Sequence, residues 1–577
     1  MSSELRCNRH SGNVSQGELM ITDARQVDQG TRFFADVCIV GGGAAGITLA
    51  IELAERGTKV LMLEGGGLSP DPLTQQLYVG ENLGMTRERL HVSRSRYLGG
   101  STNCWGGWCR PLDDIDFERR PWIEDSGWPI SKSMLASYYM RSHSWLELSD
   151  LGYDLQAWLD AIDHRKASLF PIEQTGLQNV LSQLSPPTRF GAHYRERMQR
   201  SANLQVVLFA NVTNIETSES AATATGVEVK TLNGKHFSTQ ASLFVLAAGG
   251  IENARLLLLS DKVQHTGLGN GHDMVGRYYM DHPRVKSHFL KVTDAQRYRV
   301  LYDATLHRIH TGRGMVERDI EVHLAPTFEM QRKHQLSNSR TYLVARYSND
   351  LTKSFFALKA LQRAISGRSH FGYPRAQVFR DVVRQLPTLL LNAPTTALTV
   401  VDVRFNSMHN RQYYSLETVF EPVPNRASRV TLSQSVDTLG SRQAVVDWRL
   451  TDADERNFTR QTELVLDGLA NAGVIEPLTD PAAGNATWPD DVMGCWHHMG
   501  TTRMSDAPSK GVVDANCRVH GMNNLFIAGS SVFPTVGSDS PTITIVALAL
   551  RLAEHLTEQL RKLAVLAVSD AVTRPSE

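Results

Sequence analysis

The feature that most constrains this chain is a glycine run set between an apolar strand and a helix. Asp36-Val37-Cys38-Ile39-Val40 is a short apolar stretch of the kind that forms a buried parallel strand. It runs into Gly41-Gly42-Gly43-Ala44-Ala45-Gly46, a G-x-G-x-x-G motif. Ile47 to Arg56 then reads as a helix with Ile47, Ala50, Ile51 and Ala54 on one face, and Gly57 suits its end. Thr58 to Leu63 reads as a second strand, and Glu64 follows it, 18 residues after Gly46. Each residue type has a physical reason. Gly41 permits the tight turn, Gly43 lets backbone N–H groups approach a pyrophosphate, and Gly46 lets helix and strand pack closely. The helix N-terminus attracts phosphates through its free N–H groups and its dipole. Glu64 stands where a carboxylate accepts ribose hydroxyls, and it disfavours a 2′-phosphate. The pattern predicts a dinucleotide-binding βαβ unit but does not by itself separate FAD from NAD.

Composition narrows the remainder. The chain has 577 residues, and its 60 Lys+Arg cancel 60 Asp+Glu. It is too apolar and too evenly charged for a disordered chain, and it lacks the basic excess of a protein held to nucleic acid by phosphate contacts. No stretch reaches the roughly 18 uninterrupted apolar residues of a membrane helix. The polar start, Met1 to Gln29, lacks the apolar core of a secretory signal, so a cytoplasmic protein is expected. Six cysteines without a C-x-x-C pair are too few for a disulfide scaffold, and no metal site is expected.

Three further glycine clusters occur in order. Leu98-Gly99-Gly100-Ser101-Thr102-Asn103-Cys104-Trp105-Gly106-Gly107 has no helical period, and such small residues let a backbone pass against a flat ligand. Phe244-Val245-Leu246-Ala247-Ala248-Gly249-Gly250 reads as a strand ending in small residues, with a helix following from Ile251. Leu525-Phe526-Ile527-Ala528-Gly529-Ser530-Ser531 repeats the theme, and Pro541-Thr542 opens a long apolar helix. With His497-His498-Met499-Gly500-Thr501-Thr502-Arg503-Met504, these motifs resemble the glucose–methanol–choline (GMC) flavoprotein oxidoreductases over about Asp36 to Leu560. Within that family the pattern is most similar to bacterial sugar or polyol oxidoreductases and the pyranose-oxidase branch.

The resemblance implies an α/β fold in which a Rossmann-like FAD-binding domain is interleaved with a substrate domain on a mostly antiparallel sheet. It implies FAD as cofactor, with Gly41, Gly43, Ala44, Ala45 and Gly46 at the pyrophosphate and Glu64 at the adenosine ribose. Gly99, Gly100, Ser101, Asn103 and Cys104 would line the flavin, and Cys104 stands where covalent members carry the linking histidine, so the FAD is expected to be non-covalent. Val212 would lie at the adenine, Gly529 and Ser530 along the second phosphate and ribitol, and Pro541 and Thr542 at the pyrimidine edge, with Ala248 and Gly249 also binding the cofactor. The family's base histidine, in a His-x-x-Gly-Thr motif, falls on His497, with His498 its neighbour on the other side of an extended strand. The second catalytic place, usually Asn or His, is Ser540, whose reach is shorter, so either a water or Asp539 would fill the gap or the substrate differs from a simple alcohol.

The expected reaction is oxidation of an alcohol, on a sugar, polyol, glycoside or small natural product, with O2 or another acceptor taking the electrons. A flavin-containing lyase without net redox chemistry and a non-catalytic flavin-binding partner subunit remain as alternatives. The expected layout is an FAD domain at 30–283 with insertions around 130–195, a substrate domain at 284–489, the rest of the FAD domain at 490–565, and flexible tails at 1–29 and 566–577. The apolar stretch Leu386 to Val403 is expected in the core, and Asp447 to Asn457 as a solvated turn. Val275 to Pro283 resembles the family's interdomain segment, with a structural role expected for His282.

Overall fold

The apolar run before Gly41 forms a nine-residue strand, Arg32–Val40, whose last four residues are buried. It pairs in parallel with Val60–Glu64 on one side and His236–Leu246 on the other. A strand covered on both edges and both faces can be apolar at every position, which is why its pattern does not alternate. The helix Ala44–Glu55 opens inside the glycine motif, about one turn earlier than expected, and buries Ile47, Leu49, Ala50, Ile51 and Leu53. The computed structural model describes residues 20–573 apart from 86–88, 162–167, 304–307, 312–313, 318–319, 348–356, 359–360, 362–374, 395, 398–410 and 477–487.

Around this unit stands a largely parallel sheet. Its order is Ile21–Asp23, Leu204–Leu208, Val60–Glu64, Arg32–Val40, His236–Leu246, Ala224–Lys230 and Asn211–Thr217, the last two antiparallel. Leu525–Ile527 adds in parallel beside the end of His236–Leu246. The C-terminal helix, Thr542–Thr573, packs on Ala44–Glu55. It buries Ile543, Val546, Ala547, Ala549, Leu550, Ala553 and Leu556 in the main core.

The second sheet is antiparallel. In order it comprises Ile475–Glu476, Pro283–Val292, Arg411–Phe420, Ser339–Tyr347, Ile320–Pro326, Leu177–Leu184 and Trp108–Cys109, with Val492–Gly494 also on Pro283–Val292. One face buries Leu177, Leu181, Leu290, Val322, Leu324, Leu343, Tyr414 and Leu416 against Val465 and Leu469 of the helix Asp452–Asn471. A small sheet, Arg429–Val436 with Arg442–Trp448 and Gly80–Gly84, links the two layers. The fold is thus the interleaved α/β architecture expected. Strands at 108–109 and 177–184 join the substrate sheet from outside 284–489.

Four local expectations change. Residues 1–19 lie outside the described residues, but Ile21–Asp23 pairs with Val206–Leu208 rather than forming a loose lead-in. Asp452–Asn471 is a 20-residue helix, not a turn. Its acids fill the first turn, where they oppose the helix dipole, and Asp454 accepts the Thr451 N–H at 2.6 Å. The C-terminal helix continues through Thr573, because its Ala, Leu, Glu, Lys and Arg run has high helix propensity. Residues 398–403 lie outside the described residues. Within the helix Arg375–Leu391, Leu390 and Leu391 are exposed, so this apolar stretch is not core.

Candidate active site

The glycine motifs converge at the strand ends. A Cβ on Gly46 would stand 1.9 Å from the Gly41 carbonyl oxygen, so no other residue permits this helix–strand approach. The second cluster lies directly on the first. Gly99 N–H donates to the Gly42 carbonyl at 2.7 Å, and a Cβ on Gly100 would meet Gly43 Cα at 3.0 Å. Thr102 and Asn103 bind the loop to itself, through the carbonyls of Gly99 and Leu98. Ser101 and Cys104 are exposed on the same turn.

Glu64 is buried, and its carboxylate accepts the N–H groups of Gly42 and Gly66, both at 2.8 Å. The acid therefore braces the glycine turn as well as standing at the expected ribose position. Asn211, beside Val212, lies next to this corner: a Cβ on Gly65 would be 3.0 Å from its side-chain oxygen. At the other end, Asn253 ties two motifs together. It accepts Ala248 N–H at 2.8 Å and donates to Ser531 Oγ at 2.9 Å. Gly500 N–H donates to the Ser530 carbonyl, and Ser530 Oγ to the His498 carbonyl at 2.8 Å.

This track fits an extended dinucleotide. Gly43, Gly249 and Gly529 belong to three different motifs, and none has a heavy atom within 4 Å of where a Cβ would project. The helix Ala44–Glu55 starts immediately after Gly43, so its free N–H groups face the open space there.

The histidines sit where two segments run antiparallel. Met280 and Met499 exchange backbone hydrogen bonds at 3.0 and 2.9 Å. Asp281 grips the neighbouring turn, accepting the N–H groups of Cys495, Trp496 and His497 at 3.1, 3.1 and 2.8 Å. Burial pushes this carboxyl up to about 7 against those hydrogen bonds. Side-chain alternation then sorts the pair. His497 faces His282, Nδ1 to Nδ1 at 2.9 Å. His498 faces the other way, with Nδ1 2.7 Å from Tyr279 Oη and Nε2 3.0 Å from Ser93 Oγ. Both its ring nitrogens are engaged, so His498 holds the loop rather than reaching a reacting atom. Burial, with the facing His282 ring and the adjacent His498, holds His497 well below the usual imidazole range.

Ser540, half-buried, precedes the helix that starts at Thr542, while Pro541 is buried. Its neighbour Asp539 is held in an ion pair. Arg340, with its side chain fully buried, donates to both Asp539 oxygens at 3.2 and 2.7 Å. The same guanidinium reaches Asp113, the Asn338 side chain and the Ser339 carbonyl, using all five of its N–H donors. Asp281, Asn253 and Arg340 were not legible as site residues, because each acts across elements far apart in the chain.

A Rossmann-like glycine track, a second glycine loop laid on it and a pair of histidines, His282 buried and His497 half-buried, beside an antiparallel sheet define a flavin-dependent oxidoreductase. Comparison with known families agrees: "FAD dependent oxidoreductase" matches residues 36–268 and "GMC oxidoreductase" matches residues 424–549. The chain carries an FAD-dependent oxidoreductase domain together with a GMC oxidoreductase domain and takes FAD as cofactor. It is 23% identical to 2-methyl-1,2-propanediol dehydrogenase of Mycolicibacterium austroafricanum, over 91% of this chain and 95% of that protein. It is 31% identical to 6'''-hydroxyparomomycin C oxidase of Streptomyces lividus, over 28% of each chain. Formate oxidase of Aspergillus oryzae shares the fold at a TM-score of 0.52 and 19% identity, covering 93% of this chain and 100% of that one. Among the described residues, no helix is long and apolar enough to cross a membrane.

Proposed function

We propose that the chain oxidises a neutral hydroxyl-bearing small molecule, a sugar, polyol, glycoside or related natural product, to the carbonyl, with His497 as general base. The observation that carries this reading is the setting of His497. Its backbone is held by Asp281 and its Nδ1 by His282, while no described residue bonds its Nε2. A neutral imidazole so held can take the hydroxyl proton as the C–H bond breaks. When bound, FAD accepts the departing hydride at flavin N5. The electron pair of the O–H bond becomes the second bond of the carbonyl, the proton rests on His497, and O2 or another acceptor later removes the electrons.

The remaining residues bind and orient. Gly41, Gly43 and Gly46 with the helix Ala44–Glu55 would hold the pyrophosphate, and Glu64 and Val212 the adenosine end. Gly99, Gly100, Ser101, Asn103 and Cys104 would line the flavin. Ala248, Gly249, Gly529 and Ser530 would run along the ribitol, and Pro541 and Thr542 would meet the pyrimidine edge. Ser540 supplies one hydrogen bond to the substrate hydroxyl. Two relatives are named for a propanediol and a hydroxyparomomycin, which supports an alcohol substrate.

The test is anaerobic mixing of the holoenzyme with sugars, polyols, glycosides and aromatic alcohols. Loss of the oxidised-flavin band near about 450 nm is expected with at least one class. His497→Ala is expected to keep its FAD and to slow that reduction by about 10²–10⁴-fold. Product formed with no bleaching would overturn the oxidative reading in favour of a lyase.

A further inference from the structure

We infer that His282 is a positioning residue that fixes the tautomer of His497, leaving His497 Nε2 without a proton and ready to accept one. The inference builds on His497 as base, but the geometry stands by itself. His282 Nε2 lies 3.0 Å from the Gly537 carbonyl and 3.4 Å from that of Val536. A carbonyl only accepts, so His282 Nε2 carries a hydrogen. The other ring nitrogen, Nδ1, faces His497 Nδ1 at 2.9 Å. Two bare nitrogens at that distance repel and two N–H groups collide, so one proton lies between them.

Which ring owns that proton follows from charge. His282 is fully buried, and burial pushes it down to about 4, so at neutral pH it is uncharged. Its single hydrogen is already committed to Gly537, so its Nδ1 is an acceptor. The shared proton therefore belongs to His497 Nδ1. His497 is neutral for the same reason of burial, and its one hydrogen is thereby spent. The ring centres are 5.1 Å apart and the nitrogens 2.9 Å apart, so both Nδ1 atoms lie close to the line between the centres, where the in-plane lone pair of one meets the N–H of the other. The other groups facing this pair do not supply a competing proton. His498 is engaged with Tyr279 and Ser93, and Asp281 takes backbone N–H groups.

The relay also joins the base to the segment that leads into Ser540. The Gly537 carbonyl lies three residues before Ser540, and Asp281, next in sequence to His282, holds the backbone of His497. One dipeptide, Asp281-His282, therefore sets both the place and the protonation pattern of the base. The role resembles that of a carboxylate orienting a catalytic histidine, where loss of the orienting group leaves the wrong tautomer. Here a neutral imidazole anchored on a carbonyl does the same without burying a negative charge.

The experiment is a ring-nitrogen NMR spectrum of the FAD-loaded protein labelled with 15N-histidine at neutral pH, His497 being assigned by its loss in His497→Asn. Expected is one protonated Nδ1 and one unprotonated Nε2. An Nε2-protonated or doubly protonated His497 overturns the inference. In His282→Leu the two tautomers of His497 should mix, and flavin reduction should slow about 10–10²-fold. His282→Gln should restore the single tautomer, its carbonyl accepting from His497 and its amide donating to Gly537. A folded His282→Leu with an unchanged His497 tautomer also overturns it, and the wild-type spectrum decides if that variant does not fold. Full-rate flavin reduction in His497→Ala would sink the base assignment alone and leave the tautomer result standing.

Discussion

Arg340 and Asp539 form an ion pair beyond the reach of water, the guanidinium donating to both carboxylate oxygens at 3.2 and 2.7 Å. Asp539 immediately precedes Ser540, so this pair anchors the turn from which the C-terminal helix enters the site. Asp113 shares the same cation at 2.6 Å. Removing the cation leaves two buried carboxylates without it. Arg340→Met is expected to destabilise the protein by about 3–5 kcal/mol. A thermal unfolding midpoint within a degree or two of wild type would contradict this.

The pH dependence of flavin reduction follows from His497. The base works when unprotonated, so the rate rises with pH through its pKa and is flat above it. Burial, the facing His282 ring and the adjacent His498 place that pKa well below the usual value of 6.5. Anaerobic stopped-flow reduction should therefore show no His497 inflection at or above neutral pH, and a small step near 7 would belong to Asp281, whose carboxyl burial pushes up to about 7. A rate still climbing steadily above neutrality would point to a different titrating base.

Asp281 tests positioning apart from cofactor binding. Its two oxygens accept three N–H groups of the turn that carries His497. Asn offers one acceptor oxygen and a competing amide. In Asp281→Asn the flavin content and spectrum should match wild type, while reduction slows by about 10–10²-fold, the scale of a small misplacement. Equal loss of flavin and of rate would mean that the turn had simply unfolded.

Glu64 tests the adenosine end. Its carboxylate holds Gly42 and Gly66 at 2.8 Å each, so its loss loosens the phosphate turn as well as the ribose position. Charge-assisted hydrogen bonds of this kind are worth about 1.5–3 kcal/mol each. Glu64→Ala is expected to purify with much less FAD, regained partly at high added FAD. Equilibrium dialysis of the two proteins would read the difference directly.

The βαβ unit and the order of the glycine motifs were legible because they are local. A tight turn, a close approach and a buried parallel strand each restrict residue type within a few positions. Strand and helix boundaries moved by a few residues, since pairing and caps, not periodicity, decide where an element ends. Leu390 and Leu391 show the limit of composition: an apolar residue need not be buried. Asp452–Asn471 shows another limit, because a run of acids reads as a turn until its place in the first helical turn is known.

What the chain determined alone was the dinucleotide framework, the family and the identity of His497 as the residue to watch. Tertiary structure decided everything that depends on two distant segments meeting. It set His497 against His282, 215 residues away in sequence, and turned the adjacent His498 onto Tyr279. It committed Asp539 to Arg340. A histidine's tautomer and a carboxylate's charge are set by the partner each one faces. No spacing within one segment records that partner, because it arrives from another part of the fold.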